Sequence, residues 1–175
     1  MITGRGHRGL GQTEGMADLT HSGSIVVAAA PEALYAMVAD VTRMGEWSPI
    51  CKACWWDEGA GPEVGAGPQV GAWFTGRNEL PERTWETRSE VVAADRGREF
   101  AFIVGGSYVR WGYTFEAVDG GTEITESWEL LPGGIAMFEE RFGEDAPAQV
   151  ADRSDLAERG IAITLAAIKK VAEAS

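Results

Sequence analysis

The chain is predicted to be an α+β protein: a curved antiparallel sheet of six to seven strands, two short helices after the first strand, and one long C-terminal helix. Three observations predict this. Between Val109 and Leu130 apolar and polar residues alternate on either side of Asp119-Gly120-Gly121, the period-two signature of two strands with one dry face each, joined by a turn. Turn signals such as Asp95-Arg96-Gly97 and Gly105-Gly106 cut the preceding chain into strand-length pieces. From Asp155 to Ala174 the apolar residues Ala157, Ile161, Leu165, Ile168 and Ala172 recur at helical spacing.

Each element follows in order. Ile25, Val26 and Val27 mark a first strand near Ser22 to Ala29. Pro31-Glu32 opens a helix with Leu34, Val38 and Val41 on its dry side, because proline fits a first turn whose N–H groups lack helical partners. A second short helix spans Asp40 to Trp47 and stops at Ser48-Pro49, since the residue before proline is pushed out of helical geometry. Strands are expected near Lys52 to Asp57, Ala72 to Glu79, Thr84 to Ala93, Glu99 to Val104, Val109 to Val118 and Thr122 to Leu131. The segment Leu131 to Phe142 carries Pro132-Gly133-Gly134 with Ile135, Met137, Phe138 and Phe142. It reads either as a short helix packed on the long one or as a mobile apolar flap. The terminal helix, about 30 Å long at 1.5 Å per residue, is long enough to lie across the sheet.

The 175 residues suffice for one domain, taken as 19–175, preceded by a flexible leader at residues 1–18 whose first fifteen residues hold five glycines. Gly59-Ala60-Gly61-Pro62-Glu63-Val64 is nearly repeated at residues 65–70, as a loop extension. Fifteen Lys plus Arg against 27 Asp plus Glu give a net charge of −12, which repels phosphate backbones and anionic lipid surfaces, so neither nucleic acid nor membrane insertion is expected. No run approaches the roughly 18 apolar residues of a membrane span. A cytoplasmic protein is expected, with a homodimer left open.

The order of elements resembles the helix-grip fold of the START-like, pollen-allergen-like superfamily, and particular segments carry the likeness further. Ala30-Pro31-Glu32, the run from Asp40-Val41-Thr42-Arg43 to Trp47-Ser48-Pro49, Gly76-Arg77-Asn78, Gly97 to Phe102, Gly120-Gly121-Thr122 and Thr125-Glu126-Ser127-Trp128 resemble its polyketide cyclase/dehydrase branch (SRPBCC) over about residues 20–174. The resemblance implies a cavity between the sheet and the C-terminal helix, suited to a lipid, sterol, polyketide or other hydrophobic small molecule. It implies no cofactor.

Strand parity then nominates the lining. On the drier faces stand Trp56, Phe74, Asn78, Trp85 and Phe102, and on the last two strands Trp111, Tyr113, Glu126 and Trp128. Trp47 and Leu165 complete the expected ligand-binding set. Such a wall, mostly aromatic with few polar groups, is usual for ligand pockets, although seven tryptophans could equally fill the interior. Glu126 is the odd member. A carboxylate among Ile124, Trp128 and the Trp111-Tyr113 face loses hydration, so it must be paired, protonated or served by a ligand. With Tyr113 it forms the candidate catalytic pair for acid–base work on a ketone; the structural alternative is an ion pair with Arg77, Arg88 or Arg110, or a bulge that reverses the parity. Asn78, the single asparagine, is a natural companion for a carbonyl or a turn residue before Pro81.

Cys51 and Cys54 lack the further ligands a zinc site needs, because His7 and His21 fall outside the expected strands. At the entry of an apolar strand they read as packing, with no disulfide expected. Without a GxSxG turn and with no histidine beyond position 21, a Ser-His or Cys-His nucleophile pair is hard to assemble. Three functions stay open: a carrier of a hydrophobic small molecule, a polyketide cyclase/dehydratase-like enzyme, and a protein-partner-binding module.

Overall fold

The computed structural model describes residues 19–58 and 67–175; the expected leader and the loop repeat up to residue 66 lie outside the described residues. Seven strands form one antiparallel sheet: β1 (Thr20–Val27), β2 (Cys51–Trp56), β3 (Trp73–Leu80), β4 (Arg83–Asp95), β5 (Glu99–Val104), β6 (Val109–Val118) and β7 (Gly121–Leu130). Their order is β1-β7-β6-β5-β4-β3-β2, so β1 and β2 occupy opposite edges. The crossing between those edges is made by α1 (Pro31–Ala39) and a 3-10 helix, Val41–Glu46. Asp40 caps the latter, its carboxylate accepting from the Thr42 amide at 3.1 Å, as short polar side chains do at helix starts. In β7 the buried positions are Thr122, Ile124, Glu126, Trp128 and Leu130, the alternation expected from the sequence.

The segment after β7 is a helix, α2 (Pro132–Phe142), and it packs against the long helix α3 (Ala146–Glu173). Phe138 of α2 is buried and stacks on Phe142 at 5.7 Å. The helix expected from Asp155 therefore starts at Ala146 and runs 28 residues, about 42 Å. Polar Asp152, Arg153, Ser154 and Asp155 hide the apolar period there, whereas Pro147 supplies a fitting first turn.

The helix α3 lies on β1 and β7, and a glycine sets how close it comes. A Cβ on Gly23 would stand 2.9 Å from Ile161 Cγ2 and 3.5 Å from Leu165 Cδ1. Ile161, Leu165 and Ile168 are buried, each contributing roughly 1.5–3 kcal/mol through the apolar surface removed from water. No helix among the described residues is long and apolar enough to cross a membrane.

Candidate ligand cavity

Between the sheet, α2 and α3 lies a cavity of about 790 Å³. Its wall is built from transverse rows of cross-strand partners. One row runs Trp128, Trp111 and Phe102 across β7, β6 and β5; in the next, Glu126 and Tyr113 line the cavity, while their row partners Gly23 on β1 and Phe100 on β5 lie outside its lining. Directly opposed side chains on one face are about 5 Å apart, so the period-two pattern of three strands becomes a continuous aromatic surface.

Of the expected set, Phe74, Trp85, Phe102, Trp111 and Trp128 line the cavity, as does Trp47 beside the end of the 3-10 helix. Asn78 lines it too, with Nδ2 donating to Thr87 Oγ1 at 3.2 Å. Trp56 and Leu165 do not. Trp56 shares the inward parity but stands on the edge strand β2 and packs edge-on against Phe74, with ring centres 5.7 Å apart. Leu165 is consumed by its packing over Gly23. Strand parity could not supply the contributions of the helices: Met137 and Phe138 of α2 and Ala157, Gly160 and Thr164 of α3 also face the cavity.

Glu126 is 2% exposed. Its Oε1 accepts a hydrogen bond from the Tyr113 hydroxyl at 2.9 Å, and Oε2 has no hydrogen-bond partner among the described residues. The arginines weighed as partners are engaged elsewhere: Arg77 with Glu79, Arg88 with Asp57 and Arg110 with Glu99. Burial pushes the Glu126 carboxyl up to about 8, with the Tyr113 hydrogen bond opposing, so at neutral pH the group is mostly a neutral acid. Burial and the neighbouring Glu126 push the Tyr113 phenol well above its ordinary range. Both groups line the cavity. A neutral carboxyl there can donate a hydrogen bond to a carbonyl oxygen, with the phenol holding its other oxygen.

Arg83, Arg141 and Arg153 come from β4, α2 and α3 to the same cavity. Burial, then the like charge of Arg83, lowers the pKa of Arg153; Arg141 acts in the same direction while Asp152 opposes. None of the three forms an ion pair among the described residues.

Two expectations are corrected. His21 lies within β1, and α3 brings Ser154 Oγ to 2.7 Å from its Nε2, so a Ser-His contact does form between residues distant in sequence. Ser154 is buried and away from the cavity wall, and His21 stacks on Trp128 with centres 5.6 Å apart, so the contact joins α3 to the sheet.

The family described as polyketide cyclase/dehydrase and lipid transport matches residues 17–173. The chain belongs to this family. The solution structure of the Polyketide_cyc-like protein Cgl2372 from Corynebacterium glutamicum is similar at 47% identity, covering 89% of this chain and 91% of that one with a TM-score of 0.64. Protein Ms6760 from Mycobacterium smegmatis shares the fold at 18% identity and a TM-score of 0.60, over 91% and 94% of the two chains. The di-domain ARO/CYC StfQ of the steffimycin biosynthetic pathway does so at 14% identity and a TM-score of 0.60, over 89% of this chain and 51% of that one. No curated protein matches. Within the polyketide cyclase/dehydrase and lipid transport family the fold is thus the helix grip expected from the sequence, and a family-level role in ligand binding or cyclisation goes with it.

Proposed function

We propose that this family member binds a hydrophobic small molecule, a lipid or polyketide-like compound, between the sheet and α3, and that it does so in the cytoplasm. The observation that carries the reading is the cavity itself: about 790 Å³, the size of drug-scale ligand sites, walled by aromatic rings and, among others, by the charged side chains of Arg83, Glu86, Arg88, Glu126, Arg141 and Arg153. Arg83, Arg141 and Arg153, which form no ion pair among the described residues, suit a ligand whose apolar body ends in an oxygen-rich or acidic group.

Trp111 supplies the test, because its ring lies centrally in the Trp128-Trp111-Phe102 row. Titration of the purified protein with the neutral apolar dye Nile red should give saturable fluorescence, and Trp111→Ala should weaken the dye by about tenfold, the 1.4 kcal/mol scale of a lost aromatic contact. Unchanged affinity would remove Trp111 from the ligand wall.

A second reading is favoured by one specific feature, the Tyr113-Glu126 pair. In a cyclase or dehydratase the neutral Glu126 would protonate or hydrogen-bond a ligand carbonyl while Tyr113 orients the carboxyl, and the ionised form would accept the proton from the adjacent carbon.

A further inference from the structure

The sequence places Cys51 and Cys54 three residues apart, a spacing that puts side chains on opposite faces of a regular strand. Here both face inward. A β-bulge falls between Cys51 and Ala53: Cys51 pairs with Asn78 and Cys54 with Gly76, two residues apart on β3 and therefore on one face. The two sulfurs stand 3.2 Å apart, both thiols free and both on the cavity wall.

Space is left for them by a glycine in mid-strand. A Cβ on Gly76 would lie 3.2 Å from Cys54 Sγ and 3.3 Å from Cys51 Sγ, tight enough that any larger residue would press on the pair. A third sulfur, Met44 Sδ, is 3.8 Å from Cys54 Sγ. No third His, Cys, Asp or Glu joins the cluster among the described residues, so a four-ligand zinc set is not assembled.

We propose that Cys51 and Cys54 form a redox-active dithiol facing the cavity, which reduces the S–S bond of a small disulfide that enters it and is left as an intramolecular disulfide. The gap must close from 3.2 Å to the ~2.05 Å of an S–S bond. Cys51 as thiolate attacks one sulfur of R–S–S–R; the S–S bond breaks, and the departing RS⁻ takes up a proton as the first RSH. Cys54 then loses its proton and attacks the Cys51 sulfur of the mixed disulfide, the Cys51–SR bond breaks, and the second RSH leaves. Two electrons and two protons pass from the protein to the small disulfide. The hydrogen bond with Cys54 favours the charged form of Cys51, while the same contact and burial raise the Cys54 thiol; this fits Cys51 as the attacking and Cys54 as the resolving group.

The test does not depend on any apolar ligand. Folded protein is exposed to 2-hydroxyethyl disulfide and followed by thiol titration and intact mass, beside protein unfolded in urea. The expected result is loss of both titratable thiols with no retained adduct, release of two equivalents of 2-mercaptoethanol, and recovery of both thiols with dithiothreitol. Cys54→Ser should instead retain the hydroxyethylthio group on Cys51, because nothing resolves it. Folded wild-type protein that keeps both thiols while the unfolded chain is oxidised, or that holds a stable mixed disulfide, would overturn the proposal.

Discussion

Glu126→Gln is expected to flatten the pH dependence of stability across the range from about pH 4.5 to about pH 8. The direction follows from proton counting. With its pKa raised on folding, Glu126 keeps a proton in the native state that the unfolded chain has already released within that window. The native state is therefore favoured below the window, loses that advantage as pH rises through it, and is level again above about pH 8. The slope from one such group approaches 1.4 kcal/mol per pH unit in mid-window, several kcal/mol in all. Glutamine, neutral throughout, removes this slope and should make the variant the more stable form at high pH. Urea unfolding of both proteins at a series of pH values measures it; parallel profiles would mean that the carboxyl is not desolvated. The same variant separates carrier from catalyst, since glutamine keeps hydrogen-bonding capacity but cannot pass a proton. Retained Nile red binding with lost turnover of a ketone substrate supports the enzyme.

The second large effect concerns the grip of α3. Leu165 is 3% exposed and packs over Gly23, so Leu165→Ala should cost about 2–5 kcal/mol, the transfer free energy of the lost atoms plus the void left beneath the helix. That is a large part of the 5–15 kcal/mol that typically holds a domain together. Urea denaturation checks it. A loss below about 0.5 kcal/mol, the usual range for surface changes, would detach this face of α3 from the core.

The β6–β7 pair is legible because its register runs without a shift and its sequence alternates with period two. The expected bounds of β5 and β6 are the observed ones, and alternation alone puts Glu126 inside with the aromatics. The edge strand was less legible. A one-residue bulge at Cys51/Ala53 leaves no mark in a short apolar run, so the two cysteines read as simple packing although they share the cavity wall. Helical periodicity identifies Leu165 as part of a buried face without saying what covers it; here the cover is β1. The N-terminal turns of α3 were hidden by charged residues, and with them the approach of Ser154 to His21. The arginines brought to the cavity from β4, α2 and α3 could not be grouped from sequence, since only tertiary packing joins three elements so far apart in the chain.

Gly160 gives the most direct test of whether open apolar space exists between the sheet and α3. The structure puts it on the cavity wall, where an added Cβ would meet only Pro49 Cγ, at 4.0 Å. A large side chain at this position extends into the cavity without displacing the core, and relieves a glycine that costs a helix about 1 kcal/mol. The decisive measurement is a Nile red titration of Gly160→Trp beside the wild type, with urea unfolding as the control for folding. Saturable dye binding by the wild type and its loss in a variant that still unfolds cooperatively are expected, whereas equal binding by both would contradict an open apolar cavity between the sheet and α3.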